Sequence, residues 1–183
     1  MPHHTRRVLV RATTSIVAAS YTLEHARLAE ALAAKASQGV SVTVLLEGEP
    51  AGGLGHQERW ACQQIEAAGG QCWFMHTYAP DRIYDRYNHM HAKYVVVDSA
   101  WVLVGTENLN ATGLPDDDKS DGTLGRRGLY ALTDAPSVVA RVSALFDADL
   151  DPAHHDDVFR WQDAPFVVGS SAHRHLWPSA LWL

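Results

Sequence analysis

The chain has few of the features that mark disulfide-rich or membrane-spanning proteins. Its 183 residues include two cysteines, Cys62 and Cys72, which neither make a disulfide framework nor match a zinc spacing. We therefore predict two separate buried thiols. No stretch reaches the roughly 20 apolar residues of a membrane-spanning helix, so we expect no stable membrane insertion. Arg11 and several threonines interrupt the segment 6–20, which makes it a poor signal peptide. We expect a soluble, cytoplasmic protein rather than a secreted one.

Positive charge is also scarce. The chain has 15 Lys and Arg against 21 Asp and Glu, a net charge of −6 and an isoelectric point near 5.9. This balance provides no global basic field to attract nucleic acid or anionic lipid, although it allows a local basic patch. The eleven histidines show no His-x3-His or comparable ligand spacing. We therefore expect neither a metal nor another cofactor.

The order of the predicted elements indicates an α/β domain. Strands are predicted at 15–22, 40–46, 71–76, 88–98, 101–105 and 128–132, with helices at 23–37, 57–68 and 135–150. This order predicts a mixed or mostly parallel central sheet flanked by helices. Asp134 is expected to cap the last helix. The core face of that helix should comprise Val138, Val139, Val142, Leu145 and Phe146. We assign 1–150 to this domain and 151–183 to a tail or linker of unknown role.

The most informative stretch is His91-Ala92-Lys93, followed at fixed offsets by Asp98 and by Gly105-Thr106-Glu107-Asn108. On a strand, side chains two residues apart share a face, so His91 and Lys93 should point the same way. An imidazole that attacks or moves protons, beside an ammonium that holds anionic oxygens, suits chemistry on a phosphoryl group.

The pattern His-x-Lys-x4-Asp-x6-Gly-Thr-x-Asn resembles the HKD signature of the phospholipase D superfamily, and the similarity extends over roughly residues 13–150. The resemblance implies a metal-independent phosphodiesterase that works through a covalent phosphohistidine. It makes His91 the nucleophile, or the acid that protonates the leaving oxygen. It also assigns the non-bridging phosphate oxygens to Lys93 and Asn108.

The resemblance also extends to the remaining motif positions. Gly105 and Thr106 belong to the substrate-binding set, with Thr106 in place of the more usual serine. Asp98 completes the catalytic signature, but its place at the strand end indicates a structural carboxylate or a simple turn residue. Glu107 is expected to face away from the site because neighbouring residues on a strand or tight turn alternate.

One departure from the family pattern concerns the carboxylate that commonly orients the catalytic histidine a little beyond the asparagine. The strand start where it is expected reads Arg126-Arg127-Gly128. Asp121, in the acidic loop before it, is a candidate for this role, with a solvated loop as the alternative. Arg127 is a candidate phosphate ligand or a surface charge.

A single histidine cannot easily attack phosphorus and protonate the leaving oxygen in one step. The chain has no second His-x-Lys, so the partner histidine must come from an identical subunit or from a second motif in a longer polypeptide. The expected partners are this second motif and a phosphodiester substrate. A phospholipid fits the acidic chain better than DNA, and a nuclease is the named alternative. A non-catalytic half-domain used for binding or dimerisation is a third reading.

Overall fold

The computed structural model describes residues 9–115 and 124–166, and its central feature is a β-sheet. The strands are β1 (Ser15–Ser20), β2 (Ser41–Glu47), β3 (Gln71–Met75), β4 (Lys93–Val97), β5 (Trp101–Gly105), β6 (Tyr130–Thr133) and β7 (Val158–Arg160). The helices are α1 (Ala26–Ser37), α2 (His56–Ala67) and α3 (Pro136–Asp149). Short 3₁₀ turns occur at Ala79–Asp81 and Trp161–Asp163.

The sheet is mixed, in the order β6-β5-β4-β1-β2-β3-β7. The pairs β1–β2 and β2–β3 are parallel, whereas β4, β5, β6 and β7 join through antiparallel pairings. Helices α1 and α2 each connect two parallel strands, as such crossovers require. The predicted α/β class with a mixed sheet flanked by helices is confirmed, and antiparallel pairings outnumber parallel ones within the described residues.

The sheet carries a hydrophobic core on each face. On one face, α1 and α2 contribute Leu28, Leu32 and Ile65 to a large buried cluster. On the other, α3 packs Val139 and Phe146 against Tyr94 and Val96 of β4. Burying each large aliphatic or aromatic side chain stabilises the fold by about 1.5–3 kcal/mol.

The predicted core face and cap of α3 need correction. Val139 and Phe146 are buried and Val142 is partly buried, but Val138 and Leu145 are 41% and 40% exposed. Helix α3 lies against β4 and β5, and the stripe formed by Val139, Val142 and Phe146 packs on the strand side chains. The helix is also not capped by Asp134, because its N-cap is Ala135 and Pro136 opens the first turn.

The prediction of two separate thiols was wrong. Cys62 of α2 and Cys72 of β3 are both fully buried and form a disulfide, with Cα atoms 5.4 Å apart. Helix α2 ends at Ala67, and Gly69, at φ +91°, reverses the chain so that β3 runs back along the helix. This reversal brings together two cysteines that no sequence spacing rule pairs.

Part of the segment assigned to a tail belongs to the sheet. Strand β7 pairs with β3, and Arg160 forms an ion pair with Glu66 of α2 at 2.9 Å. The buried carboxylate of Asp157 accepts from Arg86 at 3.0 Å.

No helix among the described residues is long and apolar enough to cross a membrane.

Candidate active site

The two halves of the sequence motif meet at one edge of the sheet. Strand β4 begins at Lys93, which pairs with Ser20 at the end of β1. Tyr94 pairs with Val104, so one further step of the register places Lys93 opposite Gly105 at the end of β5. The start of β4 and the end of β5 therefore lie side by side. The predicted strand at 88–98 is shorter in the structure because both neighbours of β4 end level with Lys93.

Lys93 is a buried cation. Its side chain is 7% exposed, and its Nζ donates to the backbone carbonyl of His91 at 2.7 Å. The ammonium also lies 5.6 Å from the centre of the Tyr21 ring, at cation–π distance. Burial lowers the pKa of Lys93, and the negative charge of Glu107 acts in the opposite direction. The result is an ammonium held at the start of β4 by the His91 carbonyl and the Tyr21 ring.

His91 precedes β4 and is exposed. Its ring packs edge-on against Tyr21, with centroids 4.9 Å apart. Partial desolvation, followed by the positive charges of Lys93 and His89, lowers the pKa of His91 below its usual 6.5. The imidazole is therefore mainly neutral near pH 7, the form a nucleophile needs.

Tyr21 is a site residue that the motif analysis did not include. Its ring contacts His91, lies 6.0 Å from the ring of His89, and faces Lys93. Its hydroxyl accepts from the backbone N–H of Ala51 at 2.6 Å, which ties the glycine-rich loop after β2 to the site. The available signal was an aromatic residue near the end of the strand predicted at 15–22.

Glu47, at the end of β2, supports the segment that leads into His91. Its carboxylate is 2% exposed and accepts from the backbone N–H of Met90 at 2.6 Å and of Glu49 at 2.9 Å. Desolvation raises the pKa of Glu47 despite these hydrogen bonds. His89 Nδ1 lies 4.0 Å from the same carboxylate.

Asn108 is half-buried beside the end of β1. The next residue, Leu109, accepts at its carbonyl from the N–H groups of Glu24 and His25 at 2.9 and 3.1 Å. This connection holds the segment after β5 against the segment after β1. Asn108 is thereby placed at the same edge as Lys93.

Thr106 and Gly105 shape the turn after β5. The Thr106 Oγ1 accepts from the N–H of Leu129, and the Thr106 N–H donates to the Leu129 carbonyl, both at 3.1 Å. A Cβ at Gly105 would overlap the ring of Tyr130, so glycine is required for this packing. The threonine hydroxyl fastens this turn to the segment before β6.

Glu107 comes after the end of β5, so strand alternation does not set its direction. Residues 106 and 107 form a bend, and the Glu107 side chain folds against Gly128. Its negative charge acts to raise the pKa of Lys93. Burial, and after it the charge of Glu107, raises the pKa of Tyr130 to about 12.

Asp98 lies at the opposite end of β4. Its carboxylate accepts from the backbone N–H groups of Thr13, Thr14 and Ser15 and from both threonine hydroxyls, at 2.8–3.1 Å. Burial acts to raise the pKa of Asp98, but these hydrogen bonds outweigh it and hold the pKa well below the usual range. The structure places this carboxylate away from His91 and at the start of β1.

The other sequence candidates are less closely tied to the site. Arg127 is exposed on the segment before β6, and within the described residues it makes no hydrogen bond to His91, Lys93 or Asn108. Asp121 lies outside the described residues. Among the residues that the structure describes, no group of three or more His, Cys, Asp or Glu side chains is arranged to hold a metal ion.

Comparisons with known proteins bear on the family and the fold. Residues 6–150 match the family model described as "Cardiolipin synthase, PLD-like domain". Nuc from Salmonella typhimurium, a phospholipase D family member, aligns with a TM-score of 0.63 at 15% identity over 84% of this chain and 86% of its own. NucT from Helicobacter pylori aligns with a TM-score of 0.60 at 17% identity, over 82% of this chain and 91% of its own.

A third structure, phosphatidylserine synthase from Haemophilus influenzae, aligns with a TM-score of 0.57 at 15% identity over 87% of this chain and 36% of its own. No curated protein matches the sequence. Because the family model covers most of the chain and the solved structures share the fold, the chain belongs to the phospholipase D superfamily through its PLD-like domain.

Proposed function

We propose that this domain is a metal-independent phosphodiesterase that forms a covalent phosphohistidine at His91. The observation that carries the proposal is the pairing of an exposed, mainly neutral imidazole with the buried ammonium of Lys93, two residues away. Asn108 lies at the same sheet edge. The imidazole is the attacking group, and Lys93 and Asn108 bind the non-bridging oxygens on which negative charge develops.

The reaction takes two steps. In the first, a ring nitrogen of His91 forms a bond to phosphorus, the bond to the leaving oxygen breaks, and a second histidine donates a proton to that oxygen. In the second, this histidine removes a proton from water or an alcohol, whose oxygen attacks phosphorus and releases His91. The products are an alcohol and a phosphate monoester, or a new diester after transfer.

The second histidine needs to lie on the far side of phosphorus. His89 does not suit this role, because it packs on the same Tyr21 ring as His91 and lies only two residues before it in the chain. We propose that a second copy of this domain supplies its own His91 across a two-fold axis, with the two imidazoles about 7 Å apart. A second motif in a longer polypeptide would serve the same role.

Hydrolysis of bis-p-nitrophenyl phosphate in EDTA tests the proposal. We expect EDTA to leave the activity intact and His91→Ala to reduce it by about three orders of magnitude or more. His89→Ala is the matched control, since it removes a neighbouring exposed histidine that packs on the same ring, and it should keep most of the activity. Loss of activity in EDTA would contradict the mechanism.

Mixed dimers test the shared site. Wild-type and His91→Ala chains are refolded together at varied ratios. If one site needs both histidines, activity falls with the square of the wild-type fraction, whereas independent sites give a linear fall. Full activity from a monomer in sedimentation analysis would also contradict the shared site. An inactive, folded dimer would favour a binding module.

The substrate class is part of the proposal and is decided by assay. A phospholipid or another small phosphodiester suits the net charge of −6, since non-specific nucleases rely on Lys- and Arg-rich grooves. Parallel assays with phosphatidylcholine vesicles and single-stranded DNA separate the two classes. Turnover of DNA with a steep salt dependence, without turnover of lipid, would replace the lipid assignment with the nuclease alternative.

A further inference from the structure

His91 lies near the end of a long connection, residues 76–92, that joins β3 to β4. Apart from one 3₁₀ turn at Ala79–Asp81 and a single bridge between Tyr78 and Ile83, this connection has no helix or strand. Connections of this length without secondary structure are uncommon in compact domains, and many of them are functional. The position of His91 therefore depends on contacts with other parts of the chain.

Arg86 fastens the middle of this connection to α3 and to the chain beyond it. Its Nε lies 3.0 Å from both carboxylate oxygens of Asp157, and its backbone N–H donates to Oδ2 at 3.0 Å. Nη1 and Nη2 donate to the carbonyls of Ala148 and Asp149 at 3.1 and 2.6 Å, at the C-terminal end of α3. A cation suits this end of a helix, where carbonyl groups lack partners within the helix. All three nitrogens of the guanidinium thus hold the connection in place.

Asp157 holds the same connection at a second point. It is 3% exposed, and its backbone carbonyl accepts from the N–H of His76, the first residue of the connection, at 2.9 Å. Strand β7 begins at the next residue and fixes Asp157 to the sheet through its pairing with β3. Asp157 lies outside the residues 6–150 that match the family model. The segment that follows this match therefore binds both the start and the middle of the connection.

The chain between Arg86 and His91 is also held at its far end. The buried carboxylate of Glu47 accepts from the backbone N–H of Met90 at 2.6 Å. The stretch 86–90 is thus fastened at both ends, and a short closed stretch has less conformational freedom than a long one. The direction in which it presents His91 depends on where Arg86 is held.

We propose that Arg86 and Asp157 form a positioning pair of the active site, which holds the connection 76–92 so that the imidazole of His91 faces phosphorus. Both residues act through the backbone of this connection and not through contact with substrate. The inference rests on the proposed function of His91 as the nucleophile. It gives the segment around Asp157, beyond the matched domain, a role in aligning the nucleophile.

A second arginine–carboxylate pair provides a matched control. Arg160 donates to Glu66 through Nε at 3.1 Å and through Nη2 at 2.9 Å, and Glu66 also accepts from the backbone N–H of Cys72 at 2.9 Å. Like Asp157, Glu66 therefore binds one guanidinium and one backbone N–H. These hydrogen bonds also tie the segment after α3 to the domain, but they join β7, α2 and β3 and do not involve the connection 76–92.

Steady-state kinetics compare Asp157→Asn and Arg86→Lys with the control variants Glu66→Gln and Arg160→Lys. We expect each of the first two to lower kcat by about 10-fold or more and to change KM by less than about three-fold, because a small displacement of an attacking group is costly whereas the groups that bind phosphate are unchanged. Lysine at position 86 keeps the charge but cannot bind the carboxylate and two carbonyls at once. The double variant Arg86→Lys/Asp157→Asn should lose little more than the single variants, since all three break one pair. The control variants should keep the wild-type kcat.

The order parameter of the His91 ring reports its alignment without turnover. It is measured by NMR relaxation of ¹³C-labelled histidine, and the signal is assigned with His91→Ala. We expect it to fall in Asp157→Asn and Arg86→Lys and to stay at the wild-type value in the control variants.

Equal losses of kcat in the two pairs, or an unchanged order parameter in folded Asp157→Asn protein, would overturn the inference. If Asp157→Asn fails to fold, Arg86→Lys, which keeps the charge, carries the test. A fall of the order parameter in a protein whose wild type has no phosphodiesterase activity would contradict the proposed function and support the positioning of His91 by this pair.

Discussion

The ring of Tyr21 lies edge-on to the imidazole of His91, with centroids 4.9 Å apart and planes at 61°. The same ring is 5.6 Å from the Lys93 ammonium. This one side chain, which follows β1, thus packs beside both His91, just before β4, and Lys93, its first residue. The orientation of His91 depends on a packing contact that the motif does not contain.

Tyr21 should therefore matter through its ring more than through its hydroxyl. Tyr21→Ala should lower kcat by about 10- to 100-fold, because misplacing a nucleophile by an ångström costs on that order. Tyr21→Phe loses only the hydrogen bond from Ala51 and should stay within a few-fold of wild type. Steady-state kinetics of the two variants decide this, and equal losses in both would contradict a role for the ring.

Asp98 should affect stability and not chemistry. It lies beyond the far end of β4, a five-residue strand about 17 Å long. Asp98→Asn should lower the free energy of unfolding by about 2–3 kcal/mol, since it weakens several hydrogen bonds to a charged group. Activity per folded molecule should be unchanged. A stable variant with no activity would instead place Asp98 in the reaction.

The loss of stability caused by Asp98→Asn should depend on pH. The pKa of Asp98 is depressed in the folded state, so its contribution is present above the unfolded value near 3.8 and is lost as pH falls toward the folded value. The difference between wild type and Asp98→Asn, measured by urea unfolding, should be constant between about pH 5 and 8. It should shrink below about pH 4.

Glu58 should give the opposite pH dependence. Its side chain is fully buried in the first turn of α2, and burial raises its pKa from 4.5 to about 8. Its contribution is therefore complete below pH 4.5 and is lost as pH rises to about 8. Glu58→Gln should flatten this dependence and gain stability relative to wild type by about pH 8. If the free energies of unfolding of the two proteins change with pH in the same way across this range, Glu58 is not buried in its protonated form.

The pKa of His91 should lie below 6.5, because desolvation and then the charge of Lys93 both disfavour the imidazolium. Lys93→Met removes that charge and should raise the pKa of His91, which is followed by NMR of its ring protons. The loss of kcat/KM at low pH should begin below pH 6.5 in the wild type. A His91 pKa at or above 6.5 in the wild-type protein would remove the physical basis for a neutral nucleophile.

The spacing of apolar residues predicted those helices and strands whose pattern is visible within a short stretch of sequence. Helix α1 and strands β2 and β5 follow from apolar spacing and from glycine at their ends, and their bounds agree with the sequence to within a few residues. The edge strand β7 could not be predicted because it has three residues and is defined by pairing with β3, more than 80 positions earlier in the chain. The disulfide depends in the same way on how α2 packs along β3.

The motif spacing is compatible with Lys93 and Gly105 at the ends of adjacent strands, but it does not show which side chains support them. The chain bends after Gly105, so the packing of Glu107 against Gly128 is not set by strand alternation. Tyr21 and Glu47 reach the site from other strands, so their proximity to the motif depends on strand order. Such relationships require the fold.

The central claim is the covalent step at His91, and acid trapping tests it most directly. A phosphodiester labelled in its phosphoryl group is mixed with enzyme, quenched at low pH during turnover, and the protein is digested for mass spectrometry. We expect phosphorus on the peptide that contains His91 in the wild type and none in His91→Ala. Phosphorus on a serine, threonine or aspartate, with His91 unmodified, would contradict it.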